Sequence, residues 1–507
     1  MPRQTIDSNV TSVSVAEELD LKTLPGSPVW YDRAVNSYAD FGGEITTVAA
    51  ETINASRQNQ RGTTTDLDAS GGYNIDMKNG LTRDMQGFFF ADAREKPDTQ
   101  PFNGTQIPIT AVSAAAYSAA SGLTAFPVNT LVFATGFNVA ANNGLSKVTT
   151  VTATTLTTNN AKATEASPPA AAKVEAVGYE FPSADLAMTV GSGIATLTSA
   201  TSLFANINLN VGEWVFIGGD AVANRYNAGY GYGRIKSKTN AAIVLDSVAW
   251  TGGTLATDAG TGKLIQIFFG KFIRNEKTPA LIKRRTYQVE RTLGDAGTGT
   301  QSEYLTGAVC NELTLNIPLT DKHTADFAYI ALDNEQRTGA QGVKAGTHVS
   351  PEAQKPYNTS SSVFRLKLEI LDPTTLTPTP MAAYCSDATF TINNNASATK
   401  AVGVLGGIDI NVGTFVVGGQ VTAYFRDIAA VQAIRNNKDV GFSAILAQAN
   451  KGLVYDIPLL GVGGGRIAVE KDSPITFPLE NFGAENDNGY TMSYTSFNYL
   501  PTVAMPV

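Results

Sequence analysis

A mainly β chain built from two similar units, each with one short helix, is predicted by three features of the sequence. Period-two alternation recurs along it. Ile408 and Ile410 alternate with Asp409 and Asn411; Val421, Ala423 and Phe425 alternate with Gln420, Thr422 and Tyr424. Leu313, Leu315 and Ile317 alternate with Thr314 and Asn316. This is the mark of half-buried antiparallel strands. The same succession of patterns also appears twice. Gly71-Gly72 and Gly418-Gly419 each precede an alternating strand, and a helix with apolar residues three or four apart follows. Such a recurrence points to internal duplication. Finally, only 16% of the 507 residues are charged, while Thr, Ala, Gly and Asn abound. That balance suits strands, turns and broad polar contact surfaces, and the length exceeds one ordinary core.

In chain order, residues 1–40 are polar and read as an N-terminal arm. Leu24-Pro25-Gly26-Ser27-Pro28 interrupts helix and strand alike, and Trp30 and Tyr31 are its anchors. Residues 41–102 open a first unit. Ile45, Val48 and Ile53 lie in an extended stretch, Tyr73 and Ile75 in an alternating strand. Thr82 caps a helix presenting Met85, Phe88 and Phe89, and Pro97 ends it.

Residues 103–270 lose charge and read as an inserted all-β region of two small β-barrel-like repeats. Val128–Gly136, Gly144–Val148 and Ala153–Thr157 recur as Val211–Gly219, Gly233–Ser237 and Ala241–Asp246. Residues 271–345 resume the first unit with Tyr287, Val289 and Arg291, a hairpin near Asp295–Thr300, the Leu313 strand, and Phe327, Tyr329 and Ala331. Residues 346–362, with Pro351 and Pro356, are a linker. Residues 363–507 form the second unit. There Asp427 caps a helix presenting Ile428, Val431 and Ile434, and Asn436-Asn437 ends it. The strand Val454–Leu460, Ile467-Ala468-Val469 and Ile475–Leu479 are matched in order to the three strands of residues 271–345.

The totals exclude several classes of function. A formal charge of -8 argues against a basic nucleic-acid reader or an anionic membrane surface. No apolar run is long enough to span a bilayer, and MPRQTIDSNVTSVSV lacks the apolar core of a secretion signal. Cys310 and Cys385 are expected as two reduced, buried thiols of a protein made in the cytoplasm. His323 and His348 stand in polar stretches without metal spacing, and no nucleophile elbow is present. Gly461–Arg466 (GVGGGR) lacks the Lys-Ser/Thr of a phosphate loop and reads as a hairpin turn, as does Gly229–Arg234 (GYGYGR). Lys283-Arg284-Arg285, the one basic cluster, is expected to pair with acids of a neighbouring subunit or to be solvated, with DNA contact the minority reading because it stands alone. Phe88-Phe89-Phe90 fills a core. No catalytic residue, metal or cofactor is expected.

The second unit resembles the tail tube (major tail) proteins of long, flexible-tailed bacteriophages. The likeness rests on Gly403–Phe425 (GVLGGIDINVGTFVVGGQVTAYF), the helix Asp427–Asn436 and Val454–Leu479. The first unit is similar through Arg57–Asp92 and Thr286–Leu319. The resemblance implies tandem β-sandwich or barrel units, each flanked by a helix. It implies rings whose inner sheets join into a continuous barrel, stacked into a tube through which viral DNA passes without specific binding. It also implies contacts with tape measure, tail terminator and distal tail proteins, and a place in the virion. With two tube folds per chain, three copies would make a pseudo-sixfold ring; six copies are the alternative. Closing edges around a ring removes the hazard of open strands. The lumen and ring strands are expected at Ile45, Ile53, Tyr73, Ile75, Ile408, Ile410, Val421 and Phe425. Residues 1–40 and the loop before Val363 are expected between rings.

A rival reading makes the insertion a surface- or carbohydrate-binding module, with Trp214, Trp250, Tyr226, Tyr230 and Tyr232 as stacking residues. It requires those aromatics to be exposed together.

Overall fold

The computed structural model describes residues 6–51, 53, 55, 56, 58, 60–94, 107–191, 193–295, 297, 299–371, 379, 380, 385–425, 428–464 and 466–506. It is mainly β, with two α-helices among the described residues.

Eight antiparallel strands form one face. Their order is Val35–Ala50, Gln60–Asp76, Thr324–Ala331, Thr300–Ile317, Cys385–Asn393, Val416–Tyr424, Thr476–Gly483 and Lys451–Gly464. The order repeats. In each half the first two strands of the chain are followed by the fourth and then the third. The halves join where Thr300–Ile317 pairs with Cys385–Asn393, Leu313 opposite Ile392 and Leu315 opposite Phe390.

Thr300–Ile317 and Lys451–Gly464 are long because their first parts belong to a second layer. There Tyr287–Asp295 and Asp333–Arg337 flank the former, and Val440–Gln448 and Ser493–Phe497 flank the latter. Ser12–Glu17 and Val363–Ile370 extend the two halves in the same relative position. The core lies between the layers: Tyr73, Phe327, Leu313, Phe390, Val421 and Leu479 meet Val15, Val289, Phe442 and Tyr455. One hydrophobic core thus runs through both halves.

Helix α1, Thr82–Phe89, buries Met85, Phe88 and Phe89 against that core. Its cap position is Leu81, which has no side chain to bond the free N–H groups, so Thr82 is the first helical residue rather than the cap. It ends at Phe90 in the left-handed conformation. Pro97 lies outside the described residues. Helix α2, Ala429–Arg435, stands between the corresponding strands of the second half. It ends at Asn436, and Asn437 is left-handed, while Asp427 lies outside the described residues.

Three expectations are corrected here. Residues 1–40 are not an irregular arm. Ser12–Glu17 and Val29–Arg33 are strands, and Val13, Val15, Ala16 and Trp30 are buried. Polar residues hid these strands, because their other partners lie almost three hundred residues away. The match between the halves is also one strand off at its start, while Ile475–Leu479 keeps its match to Phe327–Ala331. Tyr287–Asp295 corresponds to Val440–Gln448, and Lys451–Gly464 to Thr300–Ile317. Val440–Gln448 is buried at eight consecutive positions, so it shows no alternation. One of its faces meets the core; from the other, Ile445 and Ala447 meet residues of 103–270. Last, residues 103–270 do not form two barrels. Among the described residues twelve strands make one open sheet, with Leu186–Gly191 at one edge and Ile109–Val112 at the other. The internal repeat is visible in its strand order, read inward from each edge to a central join where Lys173–Glu180 pairs with Gln266–Phe268.

The inserted sheet packs on the second half, although the chain enters it from the first. Leu131, Val177, Trp214, Phe216, Tyr232 and Phe268 cover Ile445, Ala447, Val454, Phe497, Leu500 and Ala504. Lys271–Arg274, on the way out, adds a strand to Ser493–Phe497.

Candidate assembly surface

An antiparallel sheet turns alternate residues to opposite sides. With Tyr73, Ile75, Leu313, Leu315, Phe390, Val421 and Leu479 turned into the core, the opposite side presents Asn74, Asp76, Asp326, Glu312, Thr314, Asn316, Thr389, Thr391, Gln420 and Glu480. Hydrogen bonds run across it from strand to strand. Asn74 Nδ2 donates to Asp326 Oδ1 at 2.6 Å and Asn316 Nδ2 to Asp326 Oδ2 at 2.8 Å. The join between halves is bridged in the same way: Asn393 Nδ2 donates to Glu312 Oε2 at 3.0 Å, and the hydroxyls of Thr314 and Thr391 lie 3.3 Å apart.

The charge on these eight strands is predominantly negative, with Lys322 and Lys400 from outside them paired to Asp76 and to Asp66 and Asp68. The strands' own basic residues are Arg61, near a hairpin tip, and Lys451, in a part that belongs to the second layer. Acids stand throughout the face, at Glu44, Asp68, Asp76, Asp326, Glu312, Asp387 and Glu480. Such a surface repels phosphates rather than binding them.

The sheet has two edges without a partner strand among the described residues. One is the outer edge of Val35–Ala50; the other is that of Leu460–Gly464. An open edge of this length is a template for another strand.

The residues expected on lumen and ring strands fall into three groups. Tyr73, Ile75 and Val421 lie on strands of the face but turn into the core. Phe425 follows a face strand and packs against the core. Ile45 and Ile53 stand exposed at the end of the long hairpin formed by Val35–Ala50 and Gln60–Asp76. Ile408 and Ile410 are not on the face. They belong to a two-stranded hairpin, Ser397–Lys400 with Gly407–Asn411, where Ile408 is exposed and Ile410 is buried against Phe90, Val309 and Leu332. In α2, Ile434 packs against the core, Val431 is half-buried and Ile428 is exposed. Sequence reasoning missed Cys385–Asn393, which carries half of the join. Its alternation of Ala388, Phe390 and Ile392 with Thr389 and Thr391 was the available signal.

The hairpin 397–411 ties the second half to the first. Arg284 Nη1 donates to Ile410 O and Nη2 to Asp409 Oδ1, each at 2.6 Å. Lys400 Nζ reaches Asp66 at 2.5 Å and Asp68 at 2.6 Å. Asn394 Nδ2 donates to Phe88 O at 2.9 Å and Cys310 O at 3.0 Å, and Phe415 packs on Phe88 and Phe89. The cluster Lys283-Arg284-Arg285 is therefore paired within its own chain: Lys283 and Arg285 bind Asp92, and Arg285 also meets Glu17.

Neither glycine-rich stretch is a phosphate loop. Gly229–Arg234 enters the strand Tyr230–Lys238, and the GVGGGR stretch ends Lys451–Gly464 without opening a helix. Among the described residues no group of three His, Cys, Asp or Glu is placed to hold a metal. Cys310 is buried, Cys385 half-buried, and both are free. Among the described residues no helix is long and apolar enough to cross a membrane. The aromatics of the rival reading do not form an exposed platform. Trp214, Tyr226 and Tyr232 are buried, and the Tyr232 hydroxyl donates to Ala504 O at 3.0 Å. Trp250 donates its indole N–H to Ala228 O at 2.8 Å.

His323 is buried where three segments meet. Its N–H donates to Tyr357 O, Tyr357 N–H to Met77 O, and Met77 N–H to His323 O, each at 2.9 Å. Neither ring nitrogen has a hydrogen-bond partner among the described residues. Burial lowers the imidazole pKa to about 4. Below the ordinary value of about 6.5 the unfolded chain takes up a proton that the folded chain refuses, so stability is lost as pH falls from there through about 4. The variant H323L is expected to be more stable than the parent by roughly 2–3 kcal/mol at pH 4, with the gap closing by pH 7. Denaturant unfolding of both chains at the two pH values measures it.

Residues 236–495 match the sequence model of the family described as phage tail tube protein. No curated protein matches the chain.

Proposed function

The chain belongs to the phage tail tube protein family, and from that premise we propose that its copies close into rings that stack as a conduit for the viral genome. The premise makes it a structural protein of the virion tail that assembles into a tube with other tail proteins. The observation that carries the proposal is the eight-stranded face, with its repeated strand order, internal join and two unpaired edges. A second copy added at each edge would continue the sheet as the second half continues the first. Closure then leaves no open edge. The face with acids, threonines and amides becomes the lumen, where phosphates pass without being held.

In this reading residues 41–102 and 271–345 supply one tube fold and residues 363–507 the other, so three copies complete a pseudo-sixfold ring. The inserted sheet of residues 103–270, on the far side of the second layer, faces outward. A tape measure protein would occupy the lumen before ejection, and terminator and distal tail proteins would cap the tube's ends. No membrane partner is needed, and assembly takes place in the host cytoplasm.

Negative-stain electron microscopy of the purified chain over a range of concentrations tests this. Hollow rings or tubes with a threefold outline and six inner lobes are expected. A sixfold ring of whole chains would exclude three-copy closure. Monomers that never assemble, even with other tail components added, would overturn the ring.

A further inference from the structure

The internal join is more than an analogy for the contact between copies, because it fixes a register. Both halves carry the same one-residue bulge in the second layer. Tyr287 lies opposite Ala308 while Val289 lies opposite Leu305; Val440 lies opposite Leu460 while Phe442 lies opposite Ile457. This aligns Ala308 with Leu460 and carries the alignment across the face. Val309 opposite Ile330 corresponds to Gly461 opposite Phe482, and Glu312 opposite Ala328 to Gly463 opposite Glu480. Ala328 lies opposite Gly72 and Glu480 opposite Gln420. Hence Asp68 corresponds to Val416, and their partners Glu44 and Asn393 correspond as well.

At the internal join Glu312 faces Asn393 and Leu313 faces Ile392. We propose that one copy meets the next in the same register, with Gly463 opposite Glu44 and Gly464 opposite Gly43, and with the hairpin beyond Glu44 covering Phe482. The inference rests on the ring reading and adds which residues touch.

Unmatched apolar surface supports the second part. Ile330, inside the chain, is packed with Val309, Ala396, Ile410 and Val412, three of them from the segment between Asn393 and Val416. Its counterpart Phe482 has no such cover and is 59% exposed. The segment corresponding to the cover runs from Glu44 to Asp68 and is of nearly equal length. Two of its apolar residues stand without cover among the described residues: Ile45 is 57% and Val48 54% exposed. An exposed Phe and an exposed Ile–Val pair, at the two ends of one sheet, are the two halves of a contact that the chain makes once within itself. A large aromatic side chain left in water, against a partner able to bury it, favours association.

Disulfide trapping in assembled tubes tests the register. In a C385S background, Glu44→Cys with Gly463→Cys is expected to link copies covalently on oxidation. A Cβ at Gly463 meets nothing within 4 Å. Glu312→Cys with Asn393→Cys should close only within a chain. If tubes form but Gly463→Cys links instead to Thr46→Cys, the register is overturned and the ring stands. If the parent chain forms no ring at all, the ring itself falls. The exposed position of Phe482 lets F482E test the hairpin contact without disturbing the fold. It is expected to raise the concentration needed for assembly more than tenfold while leaving the melting temperature of the monomer unchanged. Unchanged assembly would overturn that contact.

Discussion

Tubes made from a chain carrying Q420K and A328K are expected to hold DNA that the parent tubes release. Both positions are exposed on the acidic face, in the middle of strands of different halves. Lysine there needs no burial and no new partner, so the fold is spared. Each copy gains two cations on two strands that themselves carry no Lys or Arg, and every ring repeats them. A cation that contacts a phosphate releases condensed counterions, and the slope of log affinity against log salt steepens by about 0.9 for each contact. Several rings acting on one strand multiply the effect. Binding of duplex DNA to purified tubes at 50 and 200 mM salt measures it. The expected result is little binding by the parent and strong, salt-sensitive binding by the variant. Phage carrying the double substitution should assemble tails of normal length and lose infectivity by about two orders of magnitude or more, an estimate that follows from the steep dependence of affinity on contact number. Equal DNA binding by both tubes would remove the role assigned to the acidic face.

The second large effect is expected at the contact between the inserted sheet and the second half. Arg234 is buried there. Its Nε donates to Asp246 Oδ1 at 2.8 Å, and its Nη1 to the two Asp456 oxygens at 3.2 and 3.3 Å. Burial pushes the Asp456 carboxyl up to about 6, against the pull of Arg234. Removing one member of a buried pair leaves the other charge away from water, with only the more distant pull of Arg365, at a cost of about 3–5 kcal/mol. R234A is therefore expected to lower the melting temperature sharply and to expose the segment around residue 270 to protease. Asp456 then stays buried, so part of the loss should be recovered in R234A/D456N, which removes the stranded charge. A melting temperature equal to that of the parent would show that the insertion docks through its apolar contacts alone, Trp214, Phe216 and Tyr232 on Ile445 and Phe497.

Much of the architecture was legible in residue order. Alternation found the strands that are buried on one side only, such as Gln60–Asp76, Thr300–Ile317 and Val416–Tyr424, because water on the other side selects polar residues at every second position. Glycine pairs and helical spacing located α1 and α2. The recurrence of patterns gave the duplication, and the scarcity of Lys and Arg gave the character of the eventual face. Where both sides of a strand are covered, the signal vanished: Val440–Gln448 lies between core and insertion, and Val454–Leu460 was consequently matched to Tyr287–Asp295 in its place, although Ile475–Leu479 was matched correctly to Phe327–Ala331. Ser12–Glu17 was missed for a different reason: Ser12-Val13-Ser14-Val15 does alternate, but the run is short and its pairing with Tyr287–Asp295 is written nowhere near it.

What tertiary structure alone decided is the side to which each residue turns and the partner each edge meets. Tyr73, Ile75 and Val421 alternate with Asn74, Asp76 and Gln420 just as a lumen strand should, but periodicity does not say which set meets water. The core settles that, because Phe327, Phe390 and Phe442 need apolar neighbours and withdraw the whole set from the surface. Pairing between strands far apart in sequence is likewise unwritten in any window of residues. It was the join of Thr300–Ile317 with Cys385–Asn393 that turned two similar stretches of sequence into one continuous face with two open edges. By itself the sequence determined which strands the chain can make; long-range packing determined which of them remain free for another copy.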